Sequence, residues 1–106
     1  MDRIELIDGR SFRVEVNWNA IVAFLEASGR DDVRELANFA ALKPSDLAGL
    51  LAASINEGAR LDGESVHFTA AEIGALVDIG VMAKFIAIFS HQTQPKGIKE
   101  EEAKKK

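Results

Sequence analysis

The side chains that could carry chemistry in this sequence are few and scattered. The chain of 106 residues contains no cysteine, which excludes disulfides, thiol catalysis and cysteine-held zinc or iron–sulfur sites. Its histidines, His67 and His91, lie in different predicted elements, and no His-x-His or His-x-x-x-His spacing brings two ligands onto one helix. His91 also falls near a predicted helix end, where an imidazole interacts favourably with the helix dipole. We therefore predict no metal site.

Serine and carboxylate groups are equally poor candidates for catalysis. Only Ser90 stands beside a histidine, and on a helix the two side chains point to different sides. The acid pairs Asp31-Asp32 and Asp62-Gly63-Glu64 occupy predicted cap and loop positions, where solvated carboxylates are expected. The second pair also lacks the alternating ligands of a calcium loop, and the scattered glycines form no phosphate-binding loop. We predict no catalytic residue, no cofactor and no small-molecule substrate, so the chain is not expected to be an enzyme.

The balance of charge argues against nucleic acid as a partner. The chain has 13 Lys and Arg residues against 17 Asp and Glu residues, a formal net charge of −4. Residues 93–106 hold five lysines and three glutamates, so residues 1–92 carry eight basic and fourteen acidic side chains. Proteins that bind nucleic acid through its phosphates present a basic face, which this body lacks. We expect residues 93–106 to form a flexible charged tail.

No apolar segment predicts a membrane span. The longest, Ile73 to Phe89, is interrupted by Asp78 and Lys84 and falls short of the ~20 apolar residues that cross a bilayer. The first residues lack the charged-then-apolar layout of a secretory signal. We predict a cytoplasmic protein with no membrane partner.

Two alternating segments near the start of the chain predict a β-hairpin over residues 3–16. Apolar and charged residues alternate in both, and Asp8-Gly9 between them is a turn signal. A two-residue loop would set Glu5 against Phe12, whereas a three-residue loop, Asp8 to Arg10, separates an apolar face from a salt-bridged face. We expect the second register, which pairs Leu6 with Phe12, Ile4 with Val14, Glu5 with Arg13 and Arg3 with Glu15.

Helical periodicity follows the hairpin and predicts helices at about residues 18–28, 32–42, 44–56, 70–79 and 80–91. The expected caps and breaks, in chain order, are Asn17 or Asn19, Gly29, Asp31 or Asp32, Pro44, Gly58, the capping box Thr69-Ala70-Ala71-Glu72, and Gly80. The stripes expected to face the core include Trp18, Ile21, Val22 and Leu25 in the first helix and Leu47, Leu50, Leu51 and Ile55 in the third. The predicted fold class is α+β, mainly α: an N-terminal β-hairpin followed by a bundle of four to five short helices, in one domain over residues 1–92.

The last predicted helix, 80–91, carries more apolar surface than a single core-facing stripe requires. A central helix buried by its neighbours is one interpretation. The other is a surface that receives a partner helix, with Met82 as an adaptable contact. Two aromatic residues, Phe24 and Phe39, lie off the stripes of their own helices and are candidates for exposure. The predicted partner-binding residues are Met82, Phe85, Phe89, Phe24 and Phe39.

Several short motifs occur in a distinctive order after the hairpin. They are Asn19-Ala20-Ile21 with Phe24-Leu25-Glu26, then Ser45-Asp46-Leu47 opening a Leu-rich helix, then Thr69-Ala70-Ala71-Glu72-Ile73-Gly74. This layout resembles the tail assembly chaperones of long-tailed phages and prophages over roughly residues 1–90. In that family a Thr-x-x-Glu-Val-Gly-like segment opens the penultimate helix, and Thr69, Glu72, Ile73 and Gly74 match it.

The resemblance implies a non-catalytic helper that coats the long, helical tape measure protein and helps to recruit tail tube subunits. Many members also occur in a longer, frameshifted form. The end of the chain, Ala103-Lys104-Lys105-Lys106, is compatible with A-rich slippery codons, although a solubilising role is the more common reason for a lysine-rich end. We therefore expect tape measure and tail tube proteins as partners, in the host cytoplasm.

Other classes of function remain open at this point. The main alternative is a small bacterial adaptor or regulatory protein that acts through homo-oligomerisation. A small enzyme or carrier is a third hypothesis, which a strongly perturbed acid or histidine in a cleft would favour. DNA binding is the weakest, because no predicted helix carries a basic face.

Overall fold

The computed structural model describes residues 2–29 and 42–93. These residues form a two-stranded antiparallel hairpin and four helices, a mainly helical arrangement that confirms the predicted fold class. The elements are β1 (Arg3–Glu5), β2 (Ser11–Arg13), α1 (Trp18–Ser28), α2 (Pro44–Leu61), α3 (Ala70–Gly74) and α4 (Ile79–Gln92). The predicted helix at 32–42 and the predicted tail from residue 94 lie outside the described residues. No described helix is long and apolar enough to cross a membrane.

The hairpin puts its predicted apolar face on the core. Ile4, Leu6, Phe12 and Val14 are all buried, as the alternation requires. The pairing is nevertheless different from the predicted one, since Ile4 lies opposite Phe12 and Glu5 opposite Ser11. A slip of two residues keeps every side chain on its face, so the apolar pattern is the same in both registers.

The loop chemistry decides the register. The loop is Ile7-Asp8-Gly9, and Gly9 takes its last position with a φ of 92°, which a residue without a side chain adopts at little cost. The Gly9 N–H donates to the Leu6 carbonyl at 2.9 Å, and the Arg10 N–H donates to the Asp8 carboxylate at 3.1 Å. The predicted loop from Asp8 to Arg10 was therefore wrong, because it placed Gly9 in the middle.

The charged face of the hairpin is consequently paired in another way. The predicted pairs of Glu5 with Arg13 and of Arg3 with Glu15 do not form. Arg13 instead lies 3.1 Å from Glu15 on its own strand extension and 3.1 Å from Asp62, just beyond α2. These contacts raise the pKa of Arg13 and tie the hairpin to the end of α2.

Helix α1 has the predicted bounds but buries a partly different face. Asn17 caps its start, where the side chain accepts from the Ala20 N–H at 3.0 Å, and Gly29 ends it with a φ of 76°. Half of the expected inward stripe is confirmed, because Ile21 and Leu25 pack against the core. The other half was wrong: Trp18 is 65% exposed and Val22 is 38% exposed, and Ala20 and Phe24 are buried in their place.

Helix α2 lies at the centre of the described structure. Pro44 opens it in the first turn, as predicted, but it continues to Leu61, well past the expected end near Asn56. Gly58 is not its stop, since the helix runs through it. The residue there is a glycine because the carbonyl group of Arg13 occupies the space in which a side chain would stand. The hairpin therefore lies directly on the helix backbone at this glycine, an arrangement that a local sequence pattern does not reveal.

The end of the described chain is a short helix and a longer one. The predicted capping box is present: the Thr69 N–H donates to Glu72 at 2.9 Å, and the Glu72 N–H donates to the Thr69 hydroxyl at 3.2 Å. Helix α3 ends earlier than expected, and α4 starts after Asp78, whose carboxylate accepts from the Val81 N–H at 2.8 Å. The predicted break at Gly80 was wrong, because Asp78 supplies the cap and Gly80 lies inside the first turn of α4.

Candidate protein-binding surface

Most of the aromatic residues predicted to bind a partner lie in the core. Phe24, Phe85 and Phe89 are 1%, 0% and 7% exposed, and the rings of Phe85 and Phe89 meet edge to face with centroids 6.2 Å apart. The expectation that Phe24 is exposed was wrong, because its ring packs into the core beside Gly49 of α2. Met82 is half-buried against the core, and Phe39 lies outside the described residues.

The outward face of α4 is apolar but sparse. Ile79 is 89% exposed and Ile86 is 37% exposed, and the small side chains of Ala83 and Ala87 are exposed as well. The apolar side chains of this helix are therefore divided between the core and the exposed face. Its aromatic residues pack into the core, and two isoleucines remain outside.

A groove runs along α2, between α1 on one side and residues 64–71 on the other. It consists of three adjoining cavities of about 500, 370 and 210 Å³. The first two share Ala23, Ala53 and Asn56 in their lining, and the second and third share Ala27 and Gly49. Because neighbouring cavities share lining residues, the three lie side by side along α2 and are described together as the groove.

Many of the lining residues have little or no side chain, and larger residues, among them Asn56, His67 and Phe68, line the rest of the groove. Its floor is one face of α2, at the i, i+3, i+4, i+7 spacing of a helix. The lining follows α2 from Asp46 to Arg60, a length of about 20 Å or four turns at ~1.5 Å per residue. The small lining residues are Gly49, Ala52 and Ala53 from α2, Ala20, Ala23 and Ala27 from α1, and Ala70 and Ala71 from α3.

One wall of the groove is an extended segment held down by a single side chain. Residues 64–69 have no regular secondary structure, and Asn56 anchors them from the middle of α2. Its amide donates to the Phe68 carbonyl at 2.8 Å and accepts from the Phe68 N–H at 2.7 Å. Both backbone groups of Phe68 are thus satisfied, and the ring packs edge to face on Phe12 at 5.5 Å.

At the end of the groove near Arg60, polar side chains cluster around Glu57. This carboxylate is only 6% exposed, and Arg60 donates to its two oxygens from Nε and Nη2, each at 2.8 Å. Asn17 and Asn19 donate to the same carboxylate at 2.6 and 3.3 Å. The hydrogen bonds from Arg60, followed by those from the asparagines, lower the pKa of Glu57 from 4.5 to about 2. Glu57 is therefore ionised at neutral pH and joins the start of α1 to α2.

The polar residues considered for chemistry are spread over the surface. His67 is exposed at the rim of the groove and His91 is exposed near the end of α4. Within residues 2–29 and 42–93, no group of three His, Asp or Glu side chains is arranged to hold a metal ion. The groove therefore offers a partner mainly an apolar contact surface, with a few charged side chains at its edge.

Sequence reasoning missed this groove because alanine gives no clear signal in an apolar pattern. The alanines of α1 at 20, 23 and 27, and the small residues of α2 at 49, 52 and 53, do recur at helical spacing. That recurrence of small residues was the available clue. No protein-family model, curated protein or solved structure matches this chain. The family therefore stays a proposal, and the groove has to be interpreted from its own geometry.

Proposed function

We propose that this chain is a non-catalytic tail assembly chaperone of a phage or prophage, and that its groove receives a helical segment of the tape measure protein. The observation that carries the proposal is the groove of three adjoining cavities along α2, about four helical turns long and lined in large part by small residues. The family resemblance supplies the identity of the partners. Tail tube protein as a second partner, and action in the host cytoplasm, rest on that resemblance alone.

The dimensions and lining of the groove suit a helix better than an extended peptide. An extended strand would need a sheet edge with free backbone groups, whereas the walls here are helix faces and a segment whose Phe68 backbone is already bonded to Asn56. Small side chains let two helix axes approach to the usual 8–10 Å. The arrangement therefore supports helix-in-groove recognition, in which the partner contributes the large side chains.

The energetics are adequate for a chaperone that must later release its partner. A helix of four turns can direct about four apolar side chains into the groove, each contributing roughly 1.5–3 kcal/mol when fully buried. The cost of association removes a large share of that sum, and micromolar affinity corresponds to about 8 kcal/mol. Moderate, reversible binding is the expected result.

The test is a binding titration with helical fragments of the tape measure protein, followed by fluorescence anisotropy. Ala23→Phe fills the groove from an exposed position on α1, and Ala87→Phe makes the same change on the outward face of α4. We expect Ala23→Phe to weaken binding at least tenfold and Ala87→Phe to leave it unchanged. Unchanged binding in Ala23→Phe would remove the groove from the proposal, and unchanged solubility of a co-expressed fragment would count against chaperoning.

The exposed face of α4 favours one alternative, an adaptor that acts by homo-oligomerisation. Ile79 and Ile86 are exposed there, and apolar side chains of this size are frequent at subunit contacts. Light scattering of the intact chain separates the two functions. A stable dimer that Ala87→Phe dissociates would favour the adaptor, whereas a monomer at micromolar concentration favours the chaperone.

A further inference from the structure

We infer that the helix received by the groove is cationic, an amphipathic segment with lysine or arginine side chains beside its apolar stripe. The inference rests on the proposed function and adds the charge class of the partner. It follows from the charges on the groove itself.

Two carboxylates, Glu57 and Glu64, and one guanidinium, that of Arg60, lie at one end of the groove. Arg60 is held against Glu57 by two hydrogen bonds of 2.8 Å, so these two charges offset each other inside the protein. A partner that approaches this end of the groove therefore meets the negative charge of Glu64.

Glu64 is the clearest of these charges. It is exposed at the rim, and none of the ion pairs within residues 2–29 and 42–93 involves it. The described arginines are engaged elsewhere, with acids that include Asp8, Glu15 and Asp62. A lysine on the partner can pair with Glu64 without displacing an existing contact.

The field of the whole body acts in the same direction. Residues 1–92 carry fourteen acidic and eight basic side chains, so a basic helix is attracted before any contact forms. Exposed pairs contribute little individually. Several of them, together with the long-range attraction, are expected to change the Kd by about tenfold at low salt.

Two designed peptides of about 15 residues test the inference on the full chain. They share one apolar face of leucine and alanine, and the remaining positions are lysine in one and glutamate in the other. We expect the lysine peptide to bind about tenfold more tightly in low salt, with the ratio falling towards one as salt screens the charges. Glu64→Lys should reduce the ratio, and Glu5→Lys, an exposed change on the hairpin, should preserve more of it.

The possible outcomes distinguish failure of this inference from failure of the proposed function. Equal affinity of the two peptides, or tighter binding of the glutamate peptide, overturns the cationic partner while leaving helix binding intact, provided that Ala23→Phe weakens both. If neither peptide binds and Ala23→Phe has no effect on tape measure fragments, the groove function itself fails. Self-association of the chain that Ala23→Phe abolishes would assign the groove to a second copy and overturn the inference.

Discussion

Helices α2 and α4 are both rich in apolar residues, yet the structure uses them in opposite ways. Helix α4 has the larger side chains but buries only one face, with Phe85, Ile88 and Phe89 inward. Helix α2 is enclosed on several sides, and most of its last three turns are buried. Residue size is one difference, because the small residues Ser54 and Gly58 of α2 let the hairpin backbone approach closely. The central helix thus combines such small residues with fully buried large ones, Leu50, Leu51 and Ile55.

Small residues of α2 have two consequences. On the hairpin side the space is filled, since the Arg13 carbonyl occupies the position above Gly58 and the Glu15 N–H donates to the Ser54 carbonyl at 3.1 Å. On the side of Gly49 and Ala53 the space stays open and forms the groove. Close packing and a free binding surface are therefore two results of one pattern.

The largest expected effect tests the one-sided burial of α4. Phe85→Ala should destabilise the protein by about 3–5 kcal/mol, because it leaves a cavity at a fully buried position. Ile86→Ala, the next residue on the outward face, should cost less than about 1 kcal/mol. Urea unfolding at neutral pH measures both. Similar losses for the two variants would mean that α4 is buried all round.

The next effect tests the close approach of the hairpin to α2. Gly58→Ala should destabilise the protein by about 1–3 kcal/mol, because the added methyl group overlaps the Arg13 carbonyl. Gly74→Ala is the matched control, since its side-chain position has no neighbour within 4 Å. Alanine there should be neutral or stabilising by up to about 1 kcal/mol. If thermal unfolding shows Gly74→Ala to be the more destabilising substitution, the close approach of the hairpin to α2 at Gly58 is contradicted.

A smaller, pH-dependent effect tests the polar end of the groove. Glu57→Gln should cost about 1–3 kcal/mol at pH 7, because an ionised, hydrogen-bonded carboxylate is lost. The pKa of Glu57 is about 2 in the folded chain against an ordinary 4.5, so the unfolded chain takes up the proton first as the pH falls.

The stability that Glu57 contributes is therefore complete above pH 4.5 and is lost as the pH falls from 4.5 towards 2. Urea unfolding of the wild type and Glu57→Gln across this interval should show their free energies converging. A difference that stays constant between pH 7 and pH 3 would show that the ionised form of Glu57 is not the stabilising one.

The smallest expected change in stability is that of a substitution in the groove. Ala23→Phe changes an exposed position on α1, so its unfolding free energy should stay within about 0.5 kcal/mol of the wild type. Differential scanning calorimetry provides the measurement. A large loss of stability would mean that the open side of α2 is packed like the hairpin side.

Features that depend on near neighbours in the chain were predictable. The capping box at Thr69 and Glu72, the caps of α1 and the faces of the hairpin all follow from local spacing. The hairpin register was not predicted correctly, because a slip of two residues leaves the apolar alternation unchanged. Only the position of Gly9 in the loop distinguishes the two registers.

Features that depend on the opposite helix were missed. The inward face of α1 brings Phe24 against α2 beside Gly49, and the last turns of α2 carry Gly58 beneath the hairpin. The candidate site was missed for the same reason. The groove exists only once α1 and residues 64–71 have been placed on the two sides of α2.

The central claim is that the partner binds the open side of α2 and leaves the outward face of α4 free. The most direct measurement is amide chemical-shift mapping of the labelled chain during titration with a helical tape measure fragment. We predict that the largest shifts fall on Ala23, Ala27, Gly49 and residues 64–71, with Ile79 and Ile86 unchanged. Shifts confined to α4, with the groove unaffected, would contradict the claim.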